Sequence, residues 1–120
     1  MEIMQAQLQE KVEKLQGQQK TRQKTLMARQ TLDSQLSENK LVKDELDNLE
    51  EDAKVFKLIG PALIRQDTND AKQNVNKRIE YINGELKRQD ETLADLSKKE
   101  DDLKEELQTI QTQMQKLAQA

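Results

Sequence analysis

VFKLIGPALIRQD, residues 55–67, is out of character with the chain around it. The 120-residue sequence is 36% charged and 2% aromatic, yet this segment holds its only Phe (Phe56), its only Pro (Pro61) and a nearly continuous apolar run. A turn centred on Gly60-Pro61 pairs Ile59 with Ala62, Leu58 with Leu63, Lys57 with Ile64 and Phe56 with Arg65. In a two-residue type II′ turn, glycine supplies positive φ at the first position and proline suits the second. The segment reads as a β-hairpin, although so short an apolar run is ambiguous between strand and helix.

Such a hairpin would carry Val55, Ile59, Ala62 and Ile64 on one face, and Phe56, Leu58 and Leu63 on the other. Both faces are apolar. An isolated two-stranded hairpin is marginal in water, and its open edges invite further strands. Pooling hairpins from several copies or relatives into a barrel or sandwich satisfies faces and edges together. A hydrophobic cap on the neighbouring helices is the simpler alternative. On the first reading the oligomerisation residues are Val55, Phe56, Leu58, Ile59, Gly60, Pro61, Leu63 and Ile64.

On the C-terminal side, alternate steps of four and three from Val75 reach Ile79, Ile82, Leu86, Gln89, Leu93, Leu96, Glu100, Leu103, Leu107, Ile110, Met114 and Leu117. Only Gln89 and Glu100 interrupt an apolar heptad seam, a stripe narrow enough to want one partner helix. The seam keeps phase across Asn83-Gly84, so the helix is expected to continue through what is otherwise a turn signal. Asp67 or Thr68 can cap its start, and Asp70 suits the first turn.

The N-terminal half is helical in composition but rougher. Leu8, Val12, Leu15, Gln19, Arg22 and Leu26 follow one four-three phase; Leu32, Asn39, Val42, Leu46, Leu49, Ala53 and Phe56 follow another, which implies a three-residue slip near residues 26–32. Folding back at residues 60 and 61 makes partners of residues whose numbers sum to about 121. Val42 then meets Ile79, Leu36 meets Leu86, Leu26 meets Leu96, Leu15 meets Leu107, Val12 meets Ile110 and Leu8 meets Met114. Arg22 comes opposite Glu100, and these two polar seam positions are expected to pair and to fix the register.

The expected fold is mainly α: a long antiparallel coiled-coil hairpin with a central β-hairpin that joins an oligomeric β-barrel. One domain spans residues 1–120, with an N-terminal coiled-coil helix at 1–53, a β-hairpin assembly region at 54–66 and a C-terminal coiled-coil helix at 67–120. Each arm is roughly 75 Å long at 1.5 Å per residue.

Composition narrows the function classes. Only 33% of the residues are hydrophobic, too few for a broad globular core. Without His or Cys, the usual acid–base, nucleophilic and zinc-binding constellations are missing, and no glycine-rich phosphate loop occurs. Acidic runs such as Asp44-Glu45 and Glu50-Glu51-Asp52 read as solvated helix faces. We therefore expect no enzyme activity, no catalytic residues, no metal and no cofactor. A net charge of -3, with Phe56 and Tyr81 as the only aromatics, disfavours nucleic acid. No apolar run suits a membrane span, the N-terminus lacks signal-peptide character, and the absence of Cys favours a reducing compartment. A soluble intracellular protein with no membrane partner is expected.

The free ends carry Ile3, Met4, Leu8, Val12 and Leu15 on one helix, and Leu107, Ile110, Met114 and Leu117 on the other. As seam they occupy one another. As fraying ends they would offer adaptable apolar side chains to unfolded polypeptide, and weak contacts from several arms would add through effective concentration.

VFKLIGPALIRQD followed by AKQNVNKRIEYINGELKR, residues 55–67 and 71–88, resembles the β-type subunits of the prefoldin family, in particular the eukaryotic subunit-six type. The likeness is most specific from Val55 to Arg88 and extends to the architecture of the whole chain. It implies a hetero-hexamer of two α-type and four β-type subunits, whose hairpins form a double β-barrel from which six coiled-coil tentacles hang. It also implies ATP-independent chaperone activity in the cytoplasm: the tentacle tips hold unfolded clients, notably nascent actin and tubulin, and hand them to the cytosolic group II chaperonin. The alternative from the residues themselves is a rigid coiled-coil spacer or tether docking through its bend.

Overall fold

The computed structural model describes residues 1–119, and its elements in chain order are α1 (Glu2–Asp47), β1 (Val55–Ile59), β2 (Ala62–Gln66) and α2 (Thr68–Gln119). The capping residue of α2 is Asp67. Its Oδ1 accepts the Asn69 N–H at 3.1 Å, and its carbonyl accepts the Ala71 N–H at 2.9 Å, closing the first helical turn. Asp70 in the first turn and Lys116 in the last both complement the helix dipole. The helix passes through Asn83-Gly84 unbroken. Along its seam, Val75, Ile82, Leu86, Glu100, Leu103 and Ile110 are buried; Ile79, Gln89, Leu93, Leu96, Leu107 and Met114 are half-buried; Leu117 is exposed.

In two respects α1 departs from expectation. It ends at Asp47, short of the boundary at residue 53. No basic residue lies in its last turn, and Glu50-Glu51-Asp52 would have extended a helix with three carboxylates at its negative end, an arrangement the dipole disfavours. The chain instead tightens, with the Leu49 N–H on the Leu46 carbonyl, and then turns between Glu50 and Ala53, whose N–H meets the Glu50 carbonyl at 3.0 Å. Leu49, Ala53 and Phe56 therefore do not continue a helical seam.

The second departure concerns phase. The less exposed positions of α1 include Met4, Leu8, Lys11, Leu15, Gln18, Thr25, Arg29, Leu32, Leu36, Asn39 and Leu46, which all belong to one four-three series. The slip near residues 26–32 is absent. Thr25 is buried, whereas Leu26 (45% exposed) and Val42 (44%) stand off the line, so the expected pairings of Leu26 with Leu96 and Val42 with Ile79 are not tight seam contacts. Thr25 tolerates the position because its hydroxyl donates to the Thr21 carbonyl at 2.9 Å and leaves no unpaired donor. Lys and Arg stems can likewise cover apolar surface while their charges reach water.

The chain divides into two units. In the unit formed by residues 29–88, Leu46, Ala71 and Val75 make a small core against which Val55 and Ile79 pack, and Lys72 Nζ lies 3.9 Å from Asp47 Oδ1. The hairpin is thus attached to its helices through Val55. In the unit formed by residues 1–28 and the chain from Gln89 onward, Lys11 pairs with Glu106 and Arg22 with Glu100, an antiparallel order. No described side chain is fully buried. A seam between two helices screens one stripe of each and encloses nothing, which is why 33% hydrophobic residues suffice. Among the described residues, no helix is long and apolar enough to cross a membrane.

Candidate assembly surface and client-contact ends

The hairpin has the expected register: Val55 opposite Gln66, Phe56 opposite Arg65, Lys57 opposite Ile64, Leu58 opposite Leu63 and Ile59 opposite Ala62. Gly60 has φ of 57°, the only positive φ among the described residues, as the first position of a II′ turn requires. Proline at the next position excludes the type I′ alternative, which needs positive φ twice.

Opposed residues share a face, so Leu58 and Leu63 stand together with Phe56, and Ile59 and Ala62 with Lys57 and Ile64. Leu58 and Leu63 are each 68% exposed, while Phe56, Ile59 and Ile64 are about half exposed. Val55 differs: it is half-buried in the contact with Leu46, Ala71 and Val75, and so acts as the anchor of the hairpin. Two strands make the whole sheet, leaving an outer edge on each. Beside the hairpin lies an apolar recess lined in part by Val42, Leu46, Phe56, Leu58 and Val75. Water contact over this much apolar surface is costly, and contiguous patches of this kind mark interaction sites.

The candidate client-contact residues separate into two sets. Ile3 (76% exposed) and Leu117 (51%) face solvent. Met4, Leu8, Val12, Leu15, Leu107 and Met114 are half-buried and Ile110 is buried, so these occupy the seam.

The unit that carries these ends also holds a polar node. Arg22 Nη1 donates to Glu100 Oε2 at 3.3 Å, Gln19 Nε2 donates to Glu100 Oε1 at 3.3 Å, and Lys104 Nζ lies 3.4 Å from Oε1. The Glu100 carboxylate is 8% exposed and Arg22 48%. The Gln19 hydrogen bond, followed by Lys104 and Arg22, holds the Glu100 carboxyl below its ordinary value despite an opposing contribution from burial. Nearer the free ends, Lys11 Nζ donates to Glu106 Oε2 at 2.6 Å, and that hydrogen bond and charge hold the Glu106 carboxyl low as well. Sequence reasoning missed Lys11 and Glu106 because Glu106 lies off the apolar seam. The presence of Lys104 four residues beyond Glu100 was a readable sign of a stabilised carboxylate.

Comparison with known proteins agrees with this geometry. A family model described as prefoldin subunit matches residues 9–119. The chain is 42% identical over 115 residues to the probable prefoldin subunit 6 of Caenorhabditis elegans, covering 96% of this chain and 91% of that protein. It is also 42% identical to human prefoldin subunit 6, covering 96% and 89% respectively. With prefoldin subunit 6 of Arabidopsis thaliana the identity is 53% over 81 residues, 68% of this chain and 63% of that protein. In fold it is similar to the crystal structure of the prefoldin beta subunit from Thermococcus strain KS-1, with a TM-score of 0.80 at 24% identity over 86% of this chain and 90% of that one. Two long helices joined by an exposed apolar hairpin, and likeness to subunit 6 along nearly the whole sequence, place this chain in the prefoldin subunit family.

Proposed function

We propose that the chain serves an ATP-independent holdase as one subunit of a hetero-hexamer with α-type and β-type prefoldin subunits. Residues 1–119 act together as one prefoldin-type unit: Phe56, Leu58, Ile59, Leu63 and Ile64 enter a shared sheet shaped by Gly60 and Pro61, with Val55 as the anchor. The free helix ends hold unfolded polypeptide, nascent actin and tubulin among the clients, and pass it to a group II chaperonin in the cytoplasm. Ile3 and Leu117 make the first contacts, and Met4, Leu8, Val12, Leu15, Leu107, Ile110 and Met114 add theirs when the last turns separate.

The observation that carries this reading is the double exposure of the hairpin: Leu58 and Leu63 on one face and Ile59 and Ile64 on the other are all at least half exposed, beside two open strand edges. A cap on the helix ends would cover one of those faces. Helix ends are weakly held, and several such ends around one client gain by multivalency.

Two measurements test it. Mixed with an α-type prefoldin subunit, the chain should form a hexamer by native mass spectrometry. Leu58→Asp or Leu63→Asp should abolish it without changing the helical circular dichroism of the free chain, since a charge inside the shared sheet is strongly unfavourable. Removal of about ten residues from each end, the fraying turns, should leave the hexamer intact but weaken its suppression of client aggregation. Undiminished suppression would favour a spacer that docks through its bend.

A further inference from the structure

The unit formed by residues 29–88 has a second surface that neither the hairpin nor the free ends explain. A groove of about 490 Å³ on the flank of the helices is lined by Gln35, Asn39, Lys77, Arg78, Tyr81 and Ile82. Ile82 is buried and forms its apolar floor, while Tyr81, the only tyrosine, is 67% exposed. No carboxylate lines the groove. Among the described residues neither Lys77 nor Arg78 has an ion pair, whereas one turn beyond Gly84 Arg88 is held by Glu85 at 3.2 Å. On a chain of net charge -3, two unpaired cations around an exposed aromatic ring form a local positive site.

Gly84 supplies an independent observation. It lies within α2, three residues from Tyr81 and so on the same side of the helix. A Cβ built there would meet nothing within 4 Å. Packing inside the chain therefore gives no reason for a residue that weakens helices relative to alanine. A missing Cβ beside an exposed aromatic lets another backbone approach the helix closely.

We infer that this flank of α2 docks an acidic, extended peptide segment of a partner protein, with one large apolar side chain seated on Tyr81 and Ile82, carboxylates paired to Lys77 and Arg78, and its backbone passing over Gly84. Gln35 and Asn39 offer side-chain amides to that backbone. The charge complementarity selects acidic over neutral segments, and the aromatic contact selects a segment with an apolar anchor. Of the residues lining the groove only Arg78 also borders the recess beside the hairpin, and none belongs to the hairpin itself, so one subunit can be tethered by a partner while assembled.

The test uses the full chain and a fluorescein-labelled peptide of repeated Glu-Glu-Leu triplets, with a Gln-Gln-Leu counterpart, followed by anisotropy. The Glu peptide should bind with an affinity that falls as salt rises, and the Gln peptide should bind at least about tenfold more weakly, the equivalent of losing both ion pairs. Lys77→Glu with Arg78→Glu should weaken binding by a similar factor, while Lys98→Glu with Lys99→Glu, a basic pair elsewhere on α2, should leave it unchanged. Tyr81→Ala should weaken binding several-fold and Tyr81→Phe should retain it. Gly84→Ala should raise the thermal midpoint and still weaken binding, a split that a purely structural role does not produce. Circular dichroism checks that each variant is folded. Equal loss in the Lys98 and Lys99 variant, unchanged affinity in Tyr81→Ala or Gly84→Ala, or equal competition by single-stranded DNA of matching charge would overturn the assignment. Each readout is independent of client holding, so loss of one activity leaves the other measurable.

Discussion

Arg22 Nη1 on α1 lies 3.3 Å from Glu100 Oε2 on α2, and the two residues differ sharply in exposure, 48% against 8%. The carboxylate is the buried partner and the guanidinium reaches it from the rim. Gln19 and Lys104 complete the set of donors, so the one acid in the α2 seam is satisfied in a single alignment of the helices. A slip of one heptad toward the start of α1 would put Val12 and Leu15 in the places of Gln19 and Arg22 and leave the carboxylate buried beside apolar neighbours, which is strongly unfavourable for a charge. The node thus encodes register more than stability.

Replacement of Glu100 by Leu separates these two roles. Glu100 is the buried member of the pair and Arg22, 48% exposed, keeps its charge in water when the carboxylate is removed, so Glu100→Leu leaves no buried charge behind and should keep or raise the thermal midpoint. Alignment should become less specific. Cysteines introduced at Leu15 and Leu107 should cross-link efficiently in the parent chain, with part of the cross-linking in Glu100→Leu moving to a Cys one heptad away. Unchanged cross-linking in the substituted chain would remove the register role.

Acid should act through the same node and through Lys11–Glu106. Both carboxyls are held below their ordinary value in the fold, Glu100 chiefly by Gln19 and Glu106 chiefly by Lys11. The unfolded chain therefore takes up protons first as pH falls, and the stabilisation, complete above the unfolded-state value of about 4.3, is lost as pH drops through the lower folded-state values. Midpoints measured between pH 7 and 3 should be nearly flat at first and fall from about pH 4.5 downward. Glu100→Gln and Glu106→Gln should each reduce that fall, with no change of sign elsewhere in the range.

Burial sets the scale for apolar truncations. Leu46, 8% exposed within the contact of Ala71, Val75 and Val55, should cost about 2–4 kcal/mol on replacement by Ala. Leu117, 51% exposed, should cost less than about 0.5 kcal/mol by the same substitution. Chemical denaturation of the two variants checks the contrast, which sequence periodicity alone misses because both residues fall on an apolar four-three series.

Two glycines should respond in opposite directions to alanine. At Gly60 the backbone has φ of 57°, a conformation that costs an L-residue about 1–2 kcal/mol, and the open space around its Cβ offers no compensation. Gly60→Ala should therefore lower hairpin stability and hexamer yield. At Gly84 the backbone is helical and the space is again open, so Gly84→Ala should add about 1 kcal/mol. Thermal melts of the free chain and hexamer yields with an α-type partner read the two effects.

Much of this protein was legible because its strongest signals are local. The α2 seam from Val75 to Met114 repeats an apolar residue at nearly every turn, and one face of a helix follows directly from such a period. Gly60-Pro61 allows a narrow set of φ values, and once the turn is placed the whole strand register follows from residue alternation. That same centre of symmetry sets Arg22 opposite Glu100, the pair found at 3.3 Å.

The phase and end of α1 were decided by tertiary structure. Its seam carries Lys11, Gln18, Thr25, Arg29 and Asn39, so counting apolar residues favoured Leu26 and Val42 and suggested a slip that does not exist. The partner helix has a continuous seam, and α1 keeps facing it by burying aliphatic stems and a hydroxyl bonded within its own helix. Periodicity measures what a helix would bury alone; packing measures what its partner leaves room for. The end at Asp47 and the use of Val55 as an anchor likewise follow from contacts among Leu46, Ala71 and Val75, residues that are distant in sequence and meet only when the chain has folded back.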